Sequence, residues 1–277
     1  MSENDDPAPP IKVTWSGMTH PGRFRKNNED AFLALTVDAE EMRLLGKDGT
    51  SPMEGSDFIF AVSDGMGGAN AGEYASRIAI DRISHTLPRS FWLGAMGMRR
   101  GAGEWLEHLF EEIHTEMSRM SHSYPECSGM GATLSLCWFA PGKMNFAHIG
   151  DSRIYYWPGG GELRQISHDH THVGWLVRTG QITESQARFH PAKSGLQQVL
   201  GGNVGNIDPQ IGSVEYEPGD RFVLTTDGIT DGLSTRGIQS VFERSAKDER
   251  SISRRLIDEA MFNSGRDNLT ALVIEIS

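Results

Sequence analysis

The chain has 277 residues, 38% hydrophobic and 23% charged, which is enough apolar content for a sizeable core and argues against global disorder. Its 37 acidic residues outnumber 26 basic ones, and the formal charge of −11 argues against a nucleic-acid role, which needs a basic face. No apolar stretch approaches the roughly 20 residues that span a bilayer, no basic-then-apolar leader opens the chain, and Cys127 and Cys137 form no CxxC or disulfide framework, so a reduced, cytoplasmic setting without membrane contact is expected.

Residues 1–12 are acidic and proline-rich and read as a disordered tail ahead of a domain over 13–277. A first strand is predicted over 13–19, followed by a polar, basic loop, HPGRFRKN, over 20–27. A second strand covers 32–37, and 38–57 reads as a surface loop or irregular hairpin. The apolar run 58–62 is long enough for a buried strand and breaks at Asp64-Gly65. Gly65, Gly67 and Gly68 free the backbone there to turn sharply and approach a ligand closely. Asp64 at this corner is either a turn or N-cap residue or a carboxylate placed to hold a hard cation.

Ala75, Ile78, Ala79, Ile83 and Leu87 fall at helical spacing, and Pro88 is predicted to end that helix or lie just beyond it. Phe91, Trp92 and Leu93, within the Gly- and Met-containing stretch 90–103, read as a buried inter-helix connection ahead of a partner or membrane patch. Trp105, Leu109, Ile113, Met117 and Met120 mark the core face of a second helix. Strands over 132–139 and 144–149 flank Ala140-Pro-Gly-Lys143, and strands over 154–157 and 163–166 flank Pro158-Gly-Gly-Gly161, two hairpin signals. One or two helices follow over 173–189, with Thr183 and Glu184 opening the second. A strand over 221–226 ends at Asp227-Gly228, helices are expected over 237–242 and 252–261, and a last strand over 269–276 is entered through Arg266-Asp267-Asn268. Hairpins outnumber crossovers, which favours an α+β fold of antiparallel sheets with helices packed outside.

Acidic residues recur at these strand boundaries: Glu29 and Asp30, Asp64, Asp151, Asp227 and Asp231, and Asp267. Any one Asp-Gly is usually a turn. If the strand ends meet at one edge of a two-sheet core, however, the carboxylates converge and require a cation. Oxygen-only ligands select Mg²⁺ or Mn²⁺ over zinc. The motifs Arg25-x-x-Asn28-Glu-Asp-Ala31, Ser63-Asp-Gly-Met-Gly-Gly68, Gly129-x-Gly-Ala-Thr133, Ala147-His-Ile-Gly-Asp-Ser-Arg153, Thr226-Asp-Gly-Ile-Thr-Asp-Gly232 and Arg266-Asp-Asn-Leu-Thr270 occur in this order. Together they resemble the metal-dependent Ser/Thr protein phosphatases of the 2C type, in their short bacterial form, over nearly the whole chain.

That resemblance implies a four-layer α-β-β-α sandwich, two antiparallel sheets flanked by helix pairs, with a flap over 169–201. It implies that Asp64 bridges two Mn²⁺ or Mg²⁺ ions, that the Gly65 carbonyl reaches one, and that Asp227 and Asp267 complete the other's shell. Glu29 and Asp30 would hold metal-bound waters, Asp151 and Asp231 a third, weaker ion, and Arg25 the substrate phosphate through its planar fork of donors. The implied activity is hydrolysis of phosphoserine and phosphothreonine in proteins by a metal-activated water. The implied setting is a soluble monomer opposing a Ser/Thr kinase.

The chain departs from the pattern in two places. Met66 stands where eukaryotic members carry His, and a thioether cannot donate a proton, which leaves the general acid unassigned; His20, His168, His170, His172 or a metal-bound water could serve. The alternating His168, His170 and His172 could also share a face and bind a transition metal, although solvated loop histidines are commoner. Lys193-Ser194 and Gln197-Gln198 replace an Arg-Asn and a Thr-Arg usual in bacterial flaps. Competing readings are a phosphatase of anti-anti-sigma factors and a phosphoprotein-binding pseudophosphatase. A cysteine-dependent phosphatase fails because Cys127 and Cys137 meet Thr133 and Lys143 six positions on, and no GxxxxGK[ST] loop is present.

Overall fold

The computed structural model describes residues 10–38, 40–67, 71–95 (backbone only from 87), 101–244 and 249–277. Two antiparallel sheets stack face to face. The first contains β1 (Lys12–His20), β4 (Asp48–Pro52), β9 (Arg153–Trp157), β10 (Arg164–Gln165), β13 (Arg221–Thr225) and β14 (Leu269–Ile276), in the order β10-β9-β13-β14-β1-β4. The second is built on β5 (Asp57–Met66), with β2 (Asp30–Val37) and β3 (Met42–Leu44) on one side. On its other side lie β7 (Leu134–Ala140), β8 (Lys143–Ile149) and β12 (Gln210–Glu215), and β6 (Gly131–Ala132) with β11 (Leu200–Gly201) extends from the end of β5.

Strand alternation builds the layers. Phe58, Phe60 and Val62 of β5 point between the sheets, where they meet Leu272, Ile274 and Ile276 of β14 and Trp15 of β1. Phe139 and Phe222 close this layer from opposite sheets as an edge-to-face pair at 5.0 Å. Ile59 and Ala61 point the other way, against α1 (Ala71–Ala95) and α2 (Ala102–Ser123). The outer face of the first sheet, with Val223, Leu269, Ala271 and Val273, packs on α5 (Asp227–Gly232), α6 (Thr235–Glu243) and α7 (Ile252–Asn263). The result is the expected α-β-β-α sandwich. Two short helices, α3 (His172–Arg178) and α4 (Glu184–Arg188), lie in the flap segment, and α4 opens with a capping box between Thr183 and Gln186.

Several local expectations are corrected. β5 does not end before Asp64 but runs to Met66, because Gly65 and Met66 pair with Ala132 and Gly131 of β6. Asp64 is therefore a strand residue, not a turn or N-cap. α1 continues through Pro88 to Ala95, since a proline's φ is compatible with helix and only one N–H is lost. Part of the 90–103 stretch, residues 96–100, lies outside the described residues, as does the tail over 1–9; Lys12 already belongs to β1. The stretch 38–57, expected as a surface loop or irregular hairpin, contains β3 and β4, which pair with different sheets rather than with each other. β12, α5 and β11 are additions.

Candidate metal and phosphate site

The acidic residues come from both sheets and meet at one end of the sandwich. Register places Asp30 of β2 directly opposite Asp64 of β5. From the other sheet, Thr226 Oγ1 and Thr270 Oγ1 each donate to Asp30 Oδ2 at 2.7 Å, so the polar contacts cross the gap between the sheets. Asp227, the first residue of α5, is a charged neighbour of Asp64. Asp267, just before β14, accepts from Arg25 Nη2 at 2.7 Å.

Close backbone approach makes this convergence possible. A Cβ on Gly65 would lie 1.8 Å from the Gly72 carbonyl oxygen, and one on Gly228 would lie 1.9 Å from that of Asn268. No larger residue fits either position without moving main chain. Asn268 in turn holds the loop that carries Arg25 and Glu29. Its side-chain oxygen accepts from the Glu29 N–H at 2.8 Å, and its amide nitrogen donates to the carbonyls of Pro21 and Asn27 at 3.0 and 2.9 Å.

Burial and mutual repulsion raise the carboxyl groups together. Desolvation first, then neighbouring aspartates, pushes Asp30 and Asp227 to about 7, although the two threonine hydroxyls partly offset the shift on Asp30. Asp64 and Asp151 are raised well above the ordinary carboxylate range by burial, with Asp227 among their charged neighbours. Burial also raises Glu29. Each of these groups therefore calls for a proton or a cation. Asp30 Oδ1 and Asp227 Oδ1 are buried without a hydrogen-bond partner. Among the described residues no three His, Cys, Asp or Glu side chains already stand arranged round one point. Two of the carboxylates are instead engaged by basic side chains, Asp267 by Arg25 and Asp231 by Lys193. An oxygen-only set with unpartnered buried oxygens fits a hard divalent cation.

Asp151 and Asp231 border a cleft of about 500 Å³ between the core and the flap, which Asp227, Arg178, Arg188 and Lys193 also line. Arg153 pairs with Asp169 through two bonds, Nε to Oδ1 at 2.8 Å and Nη2 to Oδ2 at 2.7 Å, and so fixes the start of the flap.

The histidines are structural rather than convergent. The Gly150 N–H donates to His170 Nδ1 at 3.0 Å, which positions the turn before Asp151. His170 stacks on the fully buried His148, whose Nδ1 lies 2.8 Å from Ser135 Oγ. Burial lowers these two rings to about 4 and about 3. His168 meets His170 edge-on, whereas His172 stacks on Trp175, so the three alternating rings do not surround a cation. His20 Nδ1 accepts from the Gly22 N–H. Met66, at the end of β5, is exposed.

The Asn268, Thr226, Thr270 and His148 roles are visible only in the fold. All four sit inside the motifs that supply the carboxylates, and adjacency was the one signal they offered.

Comparison with known proteins agrees with this geometry. The profile described as Protein phosphatase 2C matches residues 48–258. The chain is 33% identical over 269 residues to the serine/threonine protein phosphatase PstP of Mycobacterium tuberculosis, covering 96% of this chain but 45% of that protein, so it spans less than half the length of that relative. It is 30% identical over 260 residues to the serine/threonine phosphatase stp of Listeria monocytogenes, covering 93% of each. The crystal structure of Mycobacterium tuberculosis PstP/Ppp superposes with a TM-score of 0.76 at 28% identity, over 95% of this chain and 98% of that one. A PstP catalytic domain in complex with two manganese ions gives 0.73, also at 28% identity, over 96% and 99%. With the family profile matching most of its length and a full-length relative at this identity, the chain belongs to the protein phosphatase 2C family.

Proposed function

We propose that this protein is a metal-dependent phosphatase that hydrolyses phosphoserine and phosphothreonine in proteins. The observation that carries the proposal is the inter-sheet carboxylate cluster, in which Asp30 Oδ1 and Asp227 Oδ1 are buried without partners beside Asp64. The manganese-bound relative supports Mn²⁺ as the ion, and the oxygen-only donor set suits Mg²⁺ as well. Asp64, the Gly65 carbonyl, Asp227 and Asp267 would hold two ions, and Glu29 and Asp30 would act through water. When bound, the ions supply a water activated near neutral pH and positive charge against the phosphoryl oxygens.

The chain's own groups do the positioning. Asp30, with Oδ2 held by two threonine hydroxyls, offers Oδ1 as the acceptor that orients the attacking water. Arg25 is anchored by one nitrogen on Asp267 and is half exposed, so the outward side of its guanidinium can grip a phosphate. Carboxylates ordered in advance at the end of a packed sandwich need little rearrangement when charge shifts in the transition state. Met66 supplies no proton, and His148 and His170 are held neutral by burial. The natural partners in this reading are phosphorylated proteins and an opposing Ser/Thr kinase, met by a monomer in the cytoplasm. Among the described residues no helix is long and apolar enough to cross a membrane.

The test is hydrolysis of p-nitrophenyl phosphate and a phosphothreonine peptide with Mn²⁺, Mg²⁺ or EDTA, on wild type and Asp64→Asn. Turnover that needs the ion and is lost in the variant is expected. Ion binding by calorimetry without turnover of either substrate would instead identify a phosphoprotein-binding protein.

A further inference from the structure

The flap contacts the acidic cluster at Asp231. Asp231, in α5, takes an ion pair from Lys193 Nζ on its carboxylate and a hydrogen bond from Arg188 Nη2 on its carbonyl at 3.2 Å. Both donors belong to the flap segment. A further tie runs alongside, from Thr235 Oγ1 to Glu184 Oε1 at 2.7 Å. Lys193, Asp151, Asp227 and Asp231 line the same cleft.

An ammonium group is a compact point charge, and a divalent ion on the carboxylate it pairs with would be repelled at short range. With Asp227 assigned to the two ions, Asp151 is left beside Asp231 to outweigh that, whereas Asp267, paired with Arg25, has the buried Asp64 and Asp227 as charged neighbours. Lys193 seated on Asp231 therefore opposes the third ion expected at Asp151 and Asp231. We propose that Lys193 is this chain's own cation for the Asp151–Asp231 corner: it keeps a divalent ion out, holds the protein to two ions and ties the position of the flap to the acidic cluster. The two-ion count rests on the phosphatase function proposed above. Arg188 reinforces the arrangement by binding the same residue's main chain, so the flap docks on residue 231 through both its side chain and its backbone.

The test is the stoichiometry of Mn²⁺ uptake by the full chain in equilibrium dialysis, paired with amide hydrogen exchange over 184–194. Wild type is expected to bind two ions, Lys193→Arg two, and Lys193→Met three, the extra one weaker. Adding Asp231→Asn to Lys193→Met should return the count to two. In EDTA, Lys193→Met should exchange severalfold faster in the flap while its thermal midpoint stays near that of wild type. A wild type that binds three ions, or a Lys193→Met that still binds two, overturns the proposal. A wild type that binds none refutes the phosphatase function itself and the exclusion with it.

Discussion

Asn268→Ala is the sharpest test of how the site is assembled. The side chain is 4% exposed and makes three hydrogen bonds to the loop over 21–29, one accepted from the Glu29 N–H and two donated to the Pro21 and Asn27 carbonyls. Alanine removes all three while leaving the neighbouring Arg23 N–H to Gly265 O bond in place. At about 0.5–1.5 kcal/mol net for each bond, the loss should be ~1.5–4.5 kcal/mol, read as a lower urea midpoint in EDTA with an unchanged m value. The same loop carries Arg25 and Glu29. A shift of an ångström in groups that position a phosphate is enough to lower kcat/KM for p-nitrophenyl phosphate by about 10–100-fold. Asn268→Asp should not rescue, because it keeps the acceptor for Glu29 but sets a carboxylate against two carbonyls. A variant with the wild-type midpoint and kcat/KM within about twofold of wild type would refute the assigned role of Asn268.

Gly65→Ala drives a Cβ into the Gly72 carbonyl, a main-chain clash that neither strand nor helix can relieve by a rotamer change. A loss at or above the upper end of the ~1–3 kcal/mol typical of overpacking is expected in thermal unfolding, together with loss of Mn²⁺ binding by calorimetry. Met66→Ala should keep Mn²⁺-dependent turnover within about threefold, since the thioether carries no proton to lose; a collapse in kcat would give Met66 a role not assigned here. In EDTA, burial and neighbouring aspartates push Asp30 and Asp227 to about 7 and hold Asp64 and Asp151 well above their ordinary range, so from about pH 4 to about pH 7 the folded state binds more protons than the unfolded chain. Stability from these groups is present at low pH and lost as pH rises, while the lowered His148 and His170 oppose this below about pH 6.5 with two groups against four. The urea midpoint in EDTA should therefore rise between about pH 7.5 and about pH 6, and Mn²⁺ affinity should fall over the same interval; a midpoint that drops on acidification contradicts the electrostatic account.

The sequence carried the layers well because they rest on period-two alternation and hairpin chemistry. The last strand reads the same over 269–276 in sequence and structure, and the Pro141-Gly142 turn closes the β7–β8 hairpin with Gly142 at φ +74°. The misreadings have local physical causes. Asp64-Gly65 looks like a turn until β6, only two residues long and distant in sequence, pairs with it. β12 alternates exposed and half-buried residues at a sheet edge, and its Gly212 weakens any strand signal. In the site, the acidic residues stood out because Asp-Gly pairs recur at strand ends. The hydroxyls and amide that hold them do not, since Thr226, Thr270 and Asn268 matter only through partners some 40 to 240 residues away. Lys193 was visible as a departure from a familiar pattern, but its contact with Asp231 was not.

The threonine–aspartate contacts at Asp30 have a wider mechanical meaning. Most of the seam between the two sheets is apolar and aromatic, a greased surface whose attractions are indifferent to small slips of one sheet over the other. At the functional end, Thr226 and Thr270 of one sheet grip one oxygen of Asp30 on the other, and such a contact is strict about distance and direction. It acts as a dowel at one end of the joint. The two sheets can accommodate changes in side-chain volume elsewhere along the seam while their alignment at the carboxylates stays fixed. Tolerance to core substitution should accordingly fall steeply along β2 and β14 as the Asp30 end is approached.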